Sequence, residues 1–109
     1  MQFYFVYITT ANIADARKIG EVLVEEKLAA CANILPQMES IYRWKGAIER
    51  ENEVVLIAKT RDNLLESLTN RVLELHPYEC PCVVGIPVNG GHDGYFSWLN
   101  EQLNSGTDS

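Results

Sequence analysis

The chain has 109 residues, a length for one domain, and its 47% hydrophobic and 22% charged residues match the globular average. Nine basic residues against 15 acidic ones give a formal net charge of −6, which argues against nucleic-acid and anionic-membrane surfaces because both need a cationic field. The apolar start MQFYFVYITT has no basic segment and no small-residue cleavage site, so it does not read as a signal peptide, and no apolar run is long enough to span a bilayer. The cysteines, Cys31, Cys80 and Cys82, are odd in number, and Cys80 and Cys82 lie too close to bridge without strain. Free thiols in a reducing, cytoplasmic compartment are expected.

Phe3 to Thr9 is a run of aromatic and β-branched residues, read as an interior strand covered on both faces. Asn12 is an N-cap, and Ala16, Ile19, Gly20 and Leu23, extended by Val24 and Leu28, form the apolar stripe of a helix over Ile13–Leu28. Ser40 to Trp44 alternates as a strand, Lys45-Gly46 is a turn, and Val54 to Ala58 is a β-rich return. Pro36 marks a bend or bulge in the outgoing arm. Asp62 is expected to cap a second helix with Leu64, Leu65, Leu68, Val72 and Leu75 inward, stopped by His76-Pro77. Val83–Val88 is a fourth strand, and a last helix starts at His92 or Asp93, packing through Phe96, Leu99 and Leu103. The tail from about 105 to 109 is polar and expected to fray. The order is β-α-β-β-α-β-α in a single domain over residues 1–109: an α+β, ferredoxin-like split β-α-β sandwich with an added C-terminal helix.

The hairpin from Cys31 to Thr60 is too long for the rest of the chain to cover. Strands average about five or six residues, and each arm here runs to roughly twice that. Its far end would be a bare two-stranded ribbon showing Tyr42 and Trp44 on an open edge. Pairing with another copy removes that liability, and cyclic symmetry is the usual way to close such edges.

No Ser-His-Asp order, HExxH, Walker loop or GxGxxG is present, so catalysis is not indicated. The densest cluster of reactive groups is His76-Pro77-Tyr78-Glu79-Cys80-Pro81-Cys82. Its imidazole, carboxylate and thiols could ligate a soft or borderline metal, but the spacing is not that of a zinc finger and a fourth ligand must come from elsewhere. The competing reading is a proline-stiffened loop in which His76 caps a helix end. Cys31, in apolar company after Leu28-Ala29-Ala30, reads first as a packing residue. Lys59, at the end of a buried strand, needs a partner such as Glu79, Glu53 or a ligand anion. Tyr42 and Trp44 could stack on a ligand or serve an interface.

These residues together resemble the CutA divalent-cation tolerance family. The resemblance rests on Tyr7-Ile8-Thr9-Thr10, Leu23-Val24-Glu25, Leu28-Ala29-Ala30-Cys31-Ala32-Asn33 and Ser40-Ile41-Tyr42-Arg43-Trp44-Lys45-Gly46. Glu53, Lys59-Thr60, His76-Pro77-Tyr78-Glu79-x-Pro81 and Tyr95-x-x-Trp98-Leu99 complete it, in order over nearly the whole chain. It implies a ferredoxin-like subunit in a tight homotrimer, similar to the nitrogen-regulatory PII signal proteins, with metal or small-molecule sites in clefts between subunits. Copper is the first candidate ion. By matching position it points to Cys31, Trp44, Lys59, His76, Tyr78 and Glu79. One departure is Cys82, which stands where the family usually has Glu; a thiol there would favour Cu(I) or Zn(II) over harder ions.

The expected function is therefore a trimeric, cytoplasmic binding or regulatory protein of metal tolerance, not an enzyme, with no nucleic-acid or membrane partner. Its expected cleft contains Trp44, Lys59, Tyr78 and Glu79, with Cys31, His76 and Cys82 as candidate metal ligands, where the hairpin's roots meet the His76–Cys82 loop. Two alternatives remain: a PII-like sensor of a small anionic metabolite held by Lys59, and a structural trimer anchoring another protein.

Overall fold

The computed structural model describes residues 1–104, so the tail assigned to 105–109 lies outside the described residues. The elements are β1 (Phe3–Thr10), α1 (Ile13–Glu25), β2 (Cys31–Trp44), β3 (Ala47–Arg61), α2 (Asp62–Leu75), β4 (Val83–Val88) and α3 (Asp93–Gln102). The strands form one antiparallel sheet in the order β2-β3-β1-β4. Each helix α1 and α2 crosses between non-adjacent strands, which is the ferredoxin-like arrangement. Both edge strands carry a proline, Pro36 in β2 and Pro87 in β4, where a missing N–H costs no ladder bond.

Alternation sorts the sheet into two faces. Val6, Ile8, Val54, Leu56 and Ala58 point to one side and pack on Ala16, Ile19 and Leu23 of α1 and Leu68 and Val72 of α2. Gly20 lets α1 approach closely, since a Cβ there would lie 3.3 Å from Leu56 Cδ1 and 3.4 Å from Ala32 Cβ. The opposite face, with Phe5, Tyr7, Ile57, Val84 and Ile86, has a partial cover. Helix α3 closes one end, where Phe96 stacks on Phe3 with 5.1 Å between ring centroids. The buried Arg61 guanidinium holds α3 by donating to Asn100 Oδ1 at 2.7 Å and to the Asn104 carbonyl just beyond it, while its Nε–H donates to Asn63 Oδ1 in the first turn of α2. Beyond α3 the face is bare, and Val84 and Ile86 are 51% and 49% exposed. Strand β1 is thus fully covered on one side only, which corrects the two-sided burial expected from its composition.

Two helix ends also differ from expectation. Helix α1 stops at Glu25 because Lys27 turns to φ 60°. Leu28 N–H then bonds Leu23 O at 2.9 Å and Lys27 N–H bonds Val24 O at 3.1 Å, a Schellman closure with Lys in the place glycine usually takes. In α2 the capping position is Arg61, and Asp62 is the first helical residue; its carboxylate accepts from Asn63 N–H at 3.0 Å. His76 ends α2 as its proline neighbour requires.

The hairpin projects from this sheet. Strand β1 pairs β3 only from Val54 to Arg61, so Ala47–Glu53 has β2 as its one ladder partner. That is a ribbon about 20 Å long at 3.3 Å per residue, and the longest molecular dimension is 44 Å. The turn has φ 50° at Lys45 and φ 84° at Gly46, as a two-residue type I′ connection demands.

Candidate functional site

A bulge decides which hairpin side chains can meet a ligand. Leu35 pairs Val55 and Met38 pairs Glu53, so β2 spends one more residue than β3 across Pro36 and Gln37. Without that extra residue every later side chain of β2 would change face. With it, Ser40, Tyr42 and Trp44 lie opposite Glu51, Glu49 and Ala47, all on the face left bare by the helices. Three carboxylates, Glu49, Glu51 and Glu53, therefore share one face of the ribbon with two aromatic rings. They raise the Tyr42 phenol above its ordinary value, after the larger effect of desolvation.

The other wall is the loop after α2, and His76 is the post that sets it. The ring is 7% exposed. A backbone N–H can only donate, so His76 Nδ1 accepts from Tyr78 N–H at 3.2 Å, and Nε2–H donates to the Thr9 carbonyl at 2.7 Å. The imidazole is thus neutral in that arrangement, with both nitrogens engaged. Its ring lies against the Tyr78 ring at 4.6 Å and directs it toward β3. Tyr78 O–H donates to Glu53 Oε2 at 2.8 Å, tying loop to hairpin. Burial, reinforced by the Glu53 carboxylate, pushes the Tyr78 phenol well up. Burial and Glu53 likewise push up the Cys82 thiol, with Thr9 acting weakly against them.

Between these walls lies a cavity of about 560 Å³, whose lining includes Tyr7, Thr9, Tyr42, Trp44, Glu53, Tyr78, Glu79 and Cys82. At its mouth the hairpin tip reaches the loop: Lys45 Nζ is 3.8 Å from Glu79 Oε2 and 5.6 Å from the Trp44 ring centroid.

Of the residues singled out in the sequence, Trp44, Tyr78, Glu79 and Cys82 line this cavity. Lys59 and Cys31 do not. They face each other at the hairpin root, six β3 residues beyond the cavity-lining Glu53, or about 20 Å along the strand. Lys59 Nζ lies over the Phe5 and Tyr95 rings and donates to Tyr95 Oη at 3.0 Å, so its partner is a phenol and not Glu53 or Glu79. Within the chain the loop therefore meets the outer half of the hairpin and not its roots. Tyr42, which the sequence offered only as a stacking or interface residue, and Glu53, which it offered only as a partner for Lys59, join Trp44, Tyr78, Glu79 and Cys82 in the lining. Their period-two alignment with Trp44 could have revealed them, once the bulge had been counted.

Among the described residues, the donor set of one chain does not fit a metal ion. Cys31 is remote, His76 has no free lone pair, and the Cys82 thiol is biased toward its protonated form. Among the described residues no group of three or more His, Cys, Asp or Glu side chains is placed to hold one. The three cysteines are free thiols, and no helix among the described residues is long and apolar enough to cross a membrane.

Residues 4–102 match the family described as CutA1 divalent ion tolerance protein. The chain is 46% identical over 94 residues to the chloroplastic protein CutA of Arabidopsis thaliana, covering 86% of this chain and 52% of that one. It is 44% identical over 96 residues to the divalent-cation tolerance protein CutA of Thermus thermophilus, covering 88% of this chain and 93% of that one. The chain thus spans about half of the plant relative and nearly all of the bacterial one. The crystal structure of CutA1 from Oryza sativa superposes with a TM-score of 0.93 at 37% identity, covering 96% of each chain.

Proposed function

We propose, from the premise that this chain belongs to the CutA1 divalent ion tolerance family, that it is an oligomeric binding protein and not an enzyme. In this reading it works as a cyclic homotrimer whose ligand clefts lie on the bare face of the sheet. One observation carries the proposal: the chain leaves apolar surface uncovered in two different places. The ribbon's outer side shows Ile41 and Ile48, each 58% exposed, while the sheet face shows Val84 and Ile86. Patches of this kind mark interaction surfaces. Two unlike patches on one chain favour head-to-tail contact, which gives a ring where the rotation between copies closes. The family resemblance supports three as the number of subunits.

Copper remains the candidate ion. Because the described residues of one chain offer no donor set, a metal site in this reading is shared between copies, with Cys31 or Cys82 meeting donors of a neighbour. The anionic-metabolite reading has less support, since Lys59 is engaged with Tyr95 and the cavity's charged lining residues are Glu53 and Glu79. Cytoplasmic placement is part of the proposal and rests on the free thiols. The name of the Arabidopsis relative assigns that protein to chloroplasts.

Calorimetric titration of Cu(II), Cu(I) and Zn(II) into reduced, metal-stripped protein tests the reading. The assembled chain is expected to bind, and the dissociated Ile41→Glu/Ile48→Glu variant is not. Equal binding by the dissociated variant, or none by the assembly, refutes it.

A further inference from the structure

We propose that the cavity between the hairpin and the His76–Cys82 loop binds a small organic ammonium ion, held by aromatic faces and carboxylates. A cation over Trp or Tyr is attracted by the ring quadrupole, and enclosure strengthens the attraction. Trp44, Tyr42 and Tyr78 supply aromatic rings to the lining, and Glu53 supplies a carboxylate. Glu53 Oε2 is fixed by Tyr78 O–H, which leaves Oε1 without a hydrogen-bond partner among the described residues. The volume, about 560 Å³, is in the range of small-molecule sites.

A second observation points to the same ligand chemistry. The chain's own Lys45 ammonium already sits at the mouth, 5.6 Å from the Trp44 centroid and 3.8 Å from Glu79 Oε2. The Lys45 and Glu79 side chains are 71% and 69% exposed, so water screens the pair and a free ammonium ion can displace it. Lys45 thus acts as a weak internal competitor. An anion would meet Glu53 and Glu79 with the wrong sign. The inference uses lining residues of one chain and does not rest on the trimer or on metal binding.

The test uses the Trp98→Phe chain, in which Trp44 is the one remaining tryptophan. Its fluorescence is followed with a chelator present and ionic strength held constant. Tetramethylammonium and butylammonium are expected to shift it saturably, while tert-butanol, butanol and butyrate do not. Glu53→Gln is expected to weaken binding about tenfold, and Lys45→Asn to strengthen it about threefold. Glu79→Gln, on the exposed loop, gives about threefold weakening and keeps the test decisive where Glu53→Gln fails to fold. Equal response to alcohol and ammonium overturns the proposal, as does an unchanged dissociation constant in both Glu79→Gln and Lys45→Asn. A chain that binds ammonium as a monomer fails the preceding proposal and supports this one; a trimer indifferent to ammonium does the reverse.

Discussion

Replacing His76 by alanine separates a structural post from a metal ligand. The imidazole spans Thr9 O and Tyr78 N–H at 2.7 and 3.2 Å in a site 7% exposed. Each net hydrogen bond contributes about 1 kcal/mol, and a buried partner left unpaired costs about 1–3 kcal/mol, so the loss should be about 2–4 kcal/mol. Thr9 is itself buried, which limits rescue by water. Urea unfolding at fixed protein concentration reads this directly, since oligomer stability depends on concentration. His76→Gln, which can both donate and accept, should recover part of the loss. Copper affinity, measured where both proteins are folded, should fall by less than threefold. A His76→Ala chain within 0.5 kcal/mol of the parent that has lost copper binding would refute the argument, because the ring would then be a ligand.

Lys27→Gly should stabilise the chain by up to about 1 kcal/mol, since Lys27 holds the left-handed position of the Schellman closure; thermal unfolding checks it. Iodoacetamide should label exposed Cys80 well before Cys82, whose thiol is pushed up by burial and by Glu53, and Glu53→Gln should speed Cys82 labelling; mass spectrometry of the peptides reads both. The raised Cys82 and Tyr78 values also give a pH dependence. Both folded groups hold their protons more tightly than the unfolded chain does, so their stabilisation is complete below pH 9 and is lost as pH rises through 9 and 10 toward the folded values. Denaturation midpoints that stay flat from pH 8 to 11 would contradict this.

Much of the fold was legible because its signals are local. The strand Val83–Val88 follows from a short apolar run bounded by Pro81 and the Asn89-Gly90-Gly91 loop, the end of α2 from His76-Pro77, and the bulge from Pro36. The stop of α1 was not legible, since Glu25-Glu26-Lys27-Leu28 contains no glycine to mark it. The site was legible in part. Trp44, Tyr78, Glu79 and Cys82 come together, but Lys59 and Cys31 stay at the hairpin root. Which half of the hairpin meets the loop depends on contacts distant in sequence, Tyr78 with Glu53 and Lys59 with Tyr95, and on a parity change at a single bulge. Periodicity reads neither.

Assembly through the ribbon and the bare sheet face is the claim on which the proposed function stands, and sedimentation equilibrium at micromolar concentration tests it most directly. The account predicts one species of three times the chain mass, falling to a single chain mass in Ile41→Glu/Ile48→Glu. A parent chain that sediments as a monomer across that range would contradict it.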